Sequence, residues 1–383
     1  MDDPKKNLFQ YALMAIFLGL AVIGVMIFAT TSNNSGGNGL PVSVWGTIDR
    51  HLVEDIIGEI NQTIGGLDLV TYSQLDPRNY YPTLIEGIAT GRGPDLFMID
   101  NAAMVSHWNK IFPVPYENYP QQVFTSTFVE GGEIFLGNTG VVAVPLTIDP
   151  LVMYWNRDLF TNANISQPPK FWDEFFTIAP QVTQVDDDLD VIKSAISFGE
   201  FRNVTHAKEI LSALIMQAGS PIVSYGPNGL KNQLNVNISG APEQPTVSAL
   251  RFYTEFSNPI KTVYSWNRSL ENSQDAFIAG DLAVYFGFAS EARFIGARNP
   301  NLNYDIAVFP QVRGGARRLT YANISGLAIP NTSRNAEGAR YVTDILTSPQ
   351  AQAILAQSLQ LPPVRRDMLA QPQTNTYWST VYE

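Results

Sequence analysis

The sequence predicts an α/β protein that is built on doubly wound parallel sheets and carried behind an N-terminal transmembrane helix. Three observations support this prediction: one long uncharged apolar run near the N-terminus, a regular alternation of β-rich segments with amphipathic helical segments, and short loops between them. Parallel strands need crossover connections, and helices between successive strands supply them. At 383 residues, the chain is long enough for two compact domains or one large one.

The apolar run near the N-terminus is long enough to cross a membrane as one helix. It extends from Tyr11 to Ala29 without a charged residue. Lys5 and Lys6 precede it, and the next basic residue is Arg50. The positive-inside rule therefore keeps the short tail in the cytoplasm and places everything after the run outside. A cleaved signal peptide is the alternative, because the end of the run loosely fits a cleavage site.

The first forty residues therefore divide into three predicted parts. They are a cytoplasmic tail (1–10), a transmembrane anchor (11–31) and a flexible tether rich in Gly, Ser and Asn (32–40). The function belongs to the body that follows, and we expect this body on the extracytoplasmic side of the cell membrane.

Composition and motifs exclude several function classes. The chain has 24 Lys and Arg against 35 Asp and Glu, and its formal charge of −11 argues against binding nucleic acid. Cysteine is absent, which excludes disulfides and thiolate metal sites. The three histidines lack ligand spacing, the Asp186–Asp190 run lacks the Gly and Glu of a calcium loop, and no phosphate-binding or dinucleotide motif occurs. We therefore predict no metal and no cofactor.

The first part of the body has the pattern β-α-β-α-β, which predicts a parallel sheet. Its strands are PVSVW, LDLVTY and DLFMI, and an amphipathic helix follows each of the first two. In such sheets, ligands bind beyond the carboxyl ends of the strands. The polar residues that fall there are Thr47, Asp49, Asp100 and Asn101.

Four segments of the body carry a family resemblance. GRGPDLFMIDN resembles a strand entry, and VPLTIDPLVMYWNRDLF resembles a crossover into a second lobe. QPPKFWDEFF is similar to a helix start, with Phe171 in place of the usual Thr, and DAFIAGDLAVYFGFASE is similar to a segment that leads to a binding-cleft aromatic. Together they make residues 41–365 resemble the extracellular solute-binding proteins of ABC importers, in the family typified by maltose-binding protein.

The resemblance implies a two-lobed periplasmic-binding-protein-like fold, with two doubly wound sheets joined by a hinge. Lobe one would comprise 41–144 and 325–360, and lobe two would comprise 145–324 and 361–383. The resemblance also implies a ligand between the lobes, hinge closure around it, an ABC permease as partner and a monomeric state.

The candidate ligand-binding residues come from both predicted lobes. They are Trp45, Thr47, Asp49, Asp100, Asn101, Asp149, Glu200, Arg202, Asn203, Trp266, Phe286 and Phe288. The resemblance implies that Thr47 and Asp49 meet sugar hydroxyls, that Asp149 is an acidic ligand contact and that Phe288 stacks on a sugar. Asp100 and Asn101 are expected outside the core, because a buried carboxylate needs a partner.

Each candidate also has a structural interpretation. Trp45 is a core indole as readily as a stacking ring. Thr47 and Asp49 suit the capping of the helix that follows them, and Asp149 suits a hinge turn with Pro150. The polar residues at 200–203 are also typical of an exposed loop, and strand alternation favours a core position for Phe286.

Three functions follow from these patterns. The leading hypothesis is a non-enzymatic receptor that captures a neutral sugar or oligosaccharide, because aromatic rings cover sugar C–H faces while Asp and Asn bind hydroxyls. The second keeps the fold but binds a peptide, a polyamine or another cation through Asp49, Asp100 and Asp149. The third is a carbohydrate-cleaving enzyme that uses two of those carboxylates. The resemblance argues against the enzyme, although fold alone never settles function.

Overall fold

The computed structural model describes residues 41–371 except 189, 227–228, 239–242 and 316, together with 377, 380 and 381. The predicted tail, anchor and tether therefore lie outside the described residues. Within the described part, none of the helices combines the length and the apolar character that a membrane crossing requires.

Strands and helices alternate along most of the body. The strands are β1 (Val42–Gly46), β2 (Val70–Gln74), β3 (Leu96–Asp100), β4 (Val114–Pro115), β5 (Gly140–Val141), β6 (Val144–Asn156), β7 (Gln184–Val185), β8 (Val191–Ile196), β9 (Val223–Gly226), β10 (Gly229–Asn232), β11 (Leu282–Phe288), β12 (Tyr304–Ala307) and β13 (Ala322–Ala328). The α-helices are α1 (Arg50–Thr63), α2 (Tyr80–Ala89), α3 (Asn101–His107), α4 (Gln121–Thr127), α5 (Arg157–Asn162), α6 (Phe175–Val182), α7 (Ala207–Gln217), α8 (Pro245–Glu255), α9 (Ser273–Ala279), α10 (Glu291–Arg298), α11 (Ala336–Leu346), α12 (Pro349–Leu359) and α13 (Arg366–Leu369). Short 3₁₀ helices lie at Pro77–Asn79, Trp108–Lys110, Glu130–Phe135 and Trp172–Glu174.

The chain divides into two compact units. Unit one contains the described residues up to Phe97 together with Ile329–Leu346, and unit two contains Met98–Ala328 and the described residues from Thr347 onward. The bounds of the two predicted lobes stay a prediction.

Unit one is built on the predicted β-α-β-α-β order, which is confirmed. Strand β1 pairs in parallel with β2 and with β3, and its residue Val44 lies opposite Leu96. Helix α1 buries Ile56 and Ile60, as its apolar spacing predicts. The unit is completed by α11, which packs against β1.

The GRGPD turn that leads into β3 is explained by a set of hydrogen bonds inside unit one. The Asp95 carboxylate accepts from the backbone N and from the Oγ of Ser43, at 3.0 and 2.9 Å. It also accepts from Ser333 Oγ at 3.3 Å. Gly91 has a left-handed φ of 68°, which favours glycine. Asp95 therefore links β1, at the start of unit one, to the segment 329–346 at its end by hydrogen bonds.

Unit two is centred on the long strand β6. Strand β13 pairs antiparallel with its first half, and β11 and β12 pair antiparallel with its second half. Strand β8 then pairs in parallel with β11. Because parallel strands end at the same edge of a sheet, the loop after β8 and the loop after β11 meet there. This edge positions the candidate site.

The core of unit two lies between that sheet and its helices, and it is rich in aromatic rings. The Trp172 ring lies 5.4 Å from that of Phe286 and 5.8 Å from that of Phe198, measured between ring centroids. Phe286 and Trp266 are each 1% exposed. These two candidate ligand contacts therefore have packing roles in the structure.

Candidate ligand-binding site

The carboxyl edge of the unit-two sheet brings five residues together. We call them the Phe288 cluster: Asp149, His206, Phe288, Glu291 and Tyr321. The His206 and Phe288 rings lie edge to face with centroids 4.7 Å apart, and the Tyr321 ring lies 6.5 Å from that of Phe288. Phe288 ends β11, His206 ends the loop after β8, and Tyr321 directly precedes β13.

Glu291 is the most highly hydrogen-bonded member of the Phe288 cluster. Its Oε1 accepts from His206 at 2.6 Å and from the backbone N of Phe288 at 2.8 Å. Its Oε2 accepts from the Tyr285 hydroxyl at 2.6 Å and from the side-chain amide of Gln274. Burial by itself raises the pKa of Glu291, but the hydrogen bonds and the charge of His206 outweigh it and hold the pKa below its usual range. Glu291 is therefore a carboxylate held in its ionised form.

Asp149 lies at the crossover in β6, where the family resemblance implies an acidic ligand contact. It is partly buried, and its Oδ1 accepts from the backbone N of Ser290 at 3.1 Å. Burial raises the pKa of Asp149 to about 6, with the hydrogen bond from Ser290 opposing the rise and the charge of Glu291 adding to it. Its surroundings therefore favour the protonated form of Asp149 more than water does.

A second group of polar side chains adjoins Tyr321. Burial raises the pKa of the Tyr321 hydroxyl, and the charge of Lys208 opposes the rise. Lys208 is bonded to Glu209, which raises the pKa of the lysine, and the charges of Tyr321 and Asp100 act in the same direction. Asn101 lies beside Tyr321, because it bonds to the neighbouring residue Ala322, and the charge of Asp100 acts on Lys208.

Asp100 and Asn101 also have clear structural roles. The Asp100 carboxylate accepts from the backbone N of Ala103 at 2.7 Å and so caps α3. The Asn101 amide donates to the backbone O of Ala322 at 3.1 Å and accepts from the backbone N of Ile324 at 3.4 Å. Ligand contact and helix capping are compatible for Asp100, as with any short polar side chain at a strand end.

The three candidates in unit one lie at the carboxyl end of β1. Asp49 is exposed and caps α1 by accepting from the backbone N of Leu52 at 3.1 Å. Thr47 is partly buried. Trp45 is partly buried as well, and its ring lies so close to Gly87 that a Cβ there would be 2.9 Å from it. The glycine in α2 therefore makes room for the indole, and this contact supports the packing interpretation of Trp45.

The loop after β8 contains the remaining candidates. Asn203 is fully used: its Oδ1 accepts from the Trp266 indole at 3.2 Å, and its amide donates to the backbone O of Asn267 at 2.9 Å. Glu200 lies 3.4 Å from the Arg268 guanidinium, and Arg202 is exposed. Asn203 therefore holds the loop in place, Glu200 is partly buried beside Arg268, and Arg202 is available at the surface.

Sequence reasoning did not single out Phe201, His206 or Tyr321. Phe201 is 73% exposed and lies in the loop after β8 that ends at His206. The sequence signal that could have identified Phe201 is its position between two charged candidates, Glu200 and Arg202. His206 was set aside because the histidines were isolated in sequence, and its partner Glu291 is 85 residues away.

Among the described residues, no group of three or more His, Asp or Glu side chains could hold a metal ion. The carboxylates of the Phe288 cluster instead face hydrogen-bond donors of the protein. The chemistry that this edge supports is the binding of a molecule through ring contacts and hydrogen bonds.

A family model described as "Bacterial extracellular solute-binding protein" matches residues 60–380. A protein of Brucella abortus (strain 2308), whose name presents it only as a candidate binding protein, is 25% identical over 290 residues. That alignment covers 74% of this chain and 66% of the relative, so the chain spans just under two thirds of that curated relative's length.

Several solved structures share the fold at low identity. A solute-binding protein of Thermotoga lettingae bound to α-D-tagatose has a TM-score of 0.65 at 18% identity, covering 90% of this chain and 87% of that one. A cyclo/maltodextrin-binding protein with maltotetraose has a TM-score of 0.70 at 17% identity, covering 91% and 86%. The GacH receptor of Streptomyces glaucescens, solved without ligand and with acarbose, has a TM-score of 0.66 at 16% identity, covering 89% and 84%. The predicted two-lobed α/β fold of the periplasmic binding proteins is confirmed.

Proposed function

The chain belongs to the bacterial extracellular solute-binding proteins, and on that premise we propose that it binds a sugar or an oligosaccharide without transforming it. The observation that carries this proposal is the Phe288 cluster, where aromatic rings adjoin carboxylate and hydroxyl groups at one strand edge. Rings match the C–H faces of sugars, and carboxylates accept hydrogen bonds from hydroxyls. The sugars named for the similar structures support the same ligand class.

Within this proposal, Asp149 and Tyr321 supply polar contacts and Phe201 supplies an exposed ring. Phe288 is only 7% exposed, so it lies behind the surface that a ligand would meet. Asp100, Glu200 and the unit-one residues Thr47 and Asp49 stay candidate contacts.

The first test is a ligand screen. We expect maltotetraose, mannotriose or tagatose to raise the melting temperature in differential scanning fluorimetry, while amino acids and polyamines leave it unchanged. Stabilisation by a polyamine alone would instead favour the cation hypothesis, since Asp49, Asp100 and Asp149 are natural counter-charges for an amine. No response to any sugar would contradict the proposal.

The second test is Phe201→Ala. Stacking on one aromatic platform contributes on the order of 1 kcal/mol, so we expect roughly fivefold weaker sugar binding by isothermal titration calorimetry. Phe176→Ala is the matched control, because Phe176 is 44% exposed and packs beside Phe252 in unit two. Equal effects of both variants would remove Phe201 from the site.

The proposal extends to the context of the protein. We infer an extracytoplasmic body, anchored in the cell membrane by residues 11–31, that acts as a monomer and delivers its solute to an ABC permease. Protease added outside intact cells should cut the tether at 32–40 and release a body of nearly full length. A mature protein that begins near Thr30 in untreated cells would show that the anchor is cleaved instead.

A further inference from the structure

His206 has a backbone conformation that favours glycine. Its φ is 59°, in the left-handed region, directly before α7 begins. The preceding residue, Thr205, is pinned by hydrogen bonds from its N to Ser273 Oγ at 2.9 Å and from its Oγ1 to Asn272 Oδ1 at 2.7 Å. Strained backbone of this kind persists where the surroundings hold it in place. Compared with glycine, which this φ favours, histidine adds an imidazole ring at this position.

The ring of His206 reaches a carboxylate that also controls Phe288. One oxygen of Glu291 accepts from both His206 and the backbone N of Phe288. The side chains of His206 and Glu291 are 22% and 14% exposed, so solvent weakens their interaction little. The same imidazole lies edge to face against the Phe288 ring. His206 therefore restrains Phe288 through its ring contact and through Glu291.

The backbone of β11 is shaped to let Glu291 reach this place. A Cβ at Gly287 would lie 2.5 Å from the Tyr285 ring and 2.9 Å from Glu291 Oε2. No other residue type could occupy this position without displacing one of them. The turn after Phe288 then presents the backbone N of Ser290 to Asp149.

We propose that His206 and Glu291 form a positioning pair, which fixes Phe288 and the turn at 288–290 and thereby sets the affinity of the site. His206 acts through Glu291 and Phe288 and need not contact the ligand. The inference rests on the proposed function, because it assumes that the Phe288 cluster binds the solute.

The test compares His206→Gly, His206→Gln and a control, Asn164→Gly. His206→Gly relieves the backbone and removes the ring. His206→Gln retains a donor at the position of Nε2. Asn164 has the same φ of 59° and, like His206, lies in unit two, so Asn164→Gly gives the same backbone relief at another place.

The first measurement is amide hydrogen exchange of Phe288 and Ser290 in the sugar-free protein. Losing one well-formed hydrogen bond to a charged group corresponds to about a tenfold change, so we expect exchange about tenfold faster in His206→Gly. His206→Gln should restore most of the protection, and Asn164→Gly should match the wild type. Unchanged exchange in His206→Gly would overturn the proposal, as would an equal increase in Asn164→Gly.

The second measurement is affinity, by calorimetry, for the sugar that stabilises the wild type most in the panel of maltotetraose, mannotriose and tagatose. We expect binding about tenfold weaker in His206→Gly and near wild type in His206→Gln. Faster exchange with unchanged affinity would overturn the role in binding. If no sugar binds the wild type, the proposed function fails, and the exchange data still decide whether His206 fixes Phe288.

If His206→Gly does not fold, Glu291→Gln takes its place. This variant keeps an acceptor for Phe288 without the charge, and the expected changes in exchange and affinity are the same.

Discussion

Asp49 follows β1 in unit one, and Asp149 lies within β6 beside the carboxyl end of β11 in unit two, yet their surroundings differ. Asp49 is exposed and makes one helix-capping hydrogen bond. Asp149 is partly buried, and its pKa is raised to about 6 by that burial. The position in the topology brings a carboxylate to the edge, but only the neighbouring side chains decide whether it stays an ordinary cap or becomes a group with altered chemistry.

The largest expected effect concerns the buried carboxylate of unit two, Glu291. Glu291→Ala leaves the donors His206, Tyr285 and Phe288 N without their acceptor, so we expect a loss of about 3–5 kcal/mol in the free energy of unfolding. Urea denaturation measures it. Glu54→Ala, which removes the exposed partner of Arg50 in α1, is the control and should cost less than about 0.5 kcal/mol. Similar losses in the free energy of unfolding for both variants would show that the buried carboxylate of unit two stabilises the protein no more than the exposed one of unit one.

The next effect is a pH dependence carried by Asp149. Its pKa is raised from 3.8 in the unfolded chain to about 6 in the folded protein, so the folded state holds the proton more tightly. The resulting stabilisation is complete below the unfolded pKa, declines as the pH rises to about 6 and is lost above it. Asp149→Asn removes this contribution. When the pH rises from about 4 to about 7, the wild type should lose about 1–2 kcal/mol more of its free energy of unfolding than the variant does. Identical pH profiles would contradict the assigned burial of Asp149.

The smallest effect concerns Asp49. Losing an N-cap costs about 1 kcal/mol, so Asp49→Ala should lower the stability by that amount. Asp55→Ala, an exposed change inside α1, is the control and should have almost no effect. Weaker sugar binding by Asp49→Ala at unchanged stability would reverse this interpretation and restore Asp49 as a ligand contact.

Local patterns were sufficient to predict the strand and helix order of unit one. The apolar spacing of α1 and the apolar run of β3 depend on residues close in sequence, and both were predicted. The role of Asp95 could not be derived in this way, because one of its partners, Ser333, is 238 residues away. Such pairings are set by the tertiary fold.

The same limit applies to the candidate site. Sequence reasoning identified Asp149 and Phe288, which the structure places in one cluster. It treated Asn203 as a ligand contact and left His206 aside, although Asn203 is bonded to the Trp266 indole and His206 to Glu291. A polar side chain in a loop has the same sequence signature whether it meets a ligand or a distant partner.

The hydrogen bond between Asp95 and Ser333 has a consequence for protein synthesis. Unit one contains the N-terminal strands, but α11 completes it only after more than two hundred further residues have been translated. Gly66, in the loop after α1, already lies against Tyr341 of that helix. Most of unit two is therefore synthesised before unit one can close its core. Until then, an apolar face of β1 and β2 stays uncovered. For the nascent chain, the unit that is begun first cannot be completed until most of the other unit has been made.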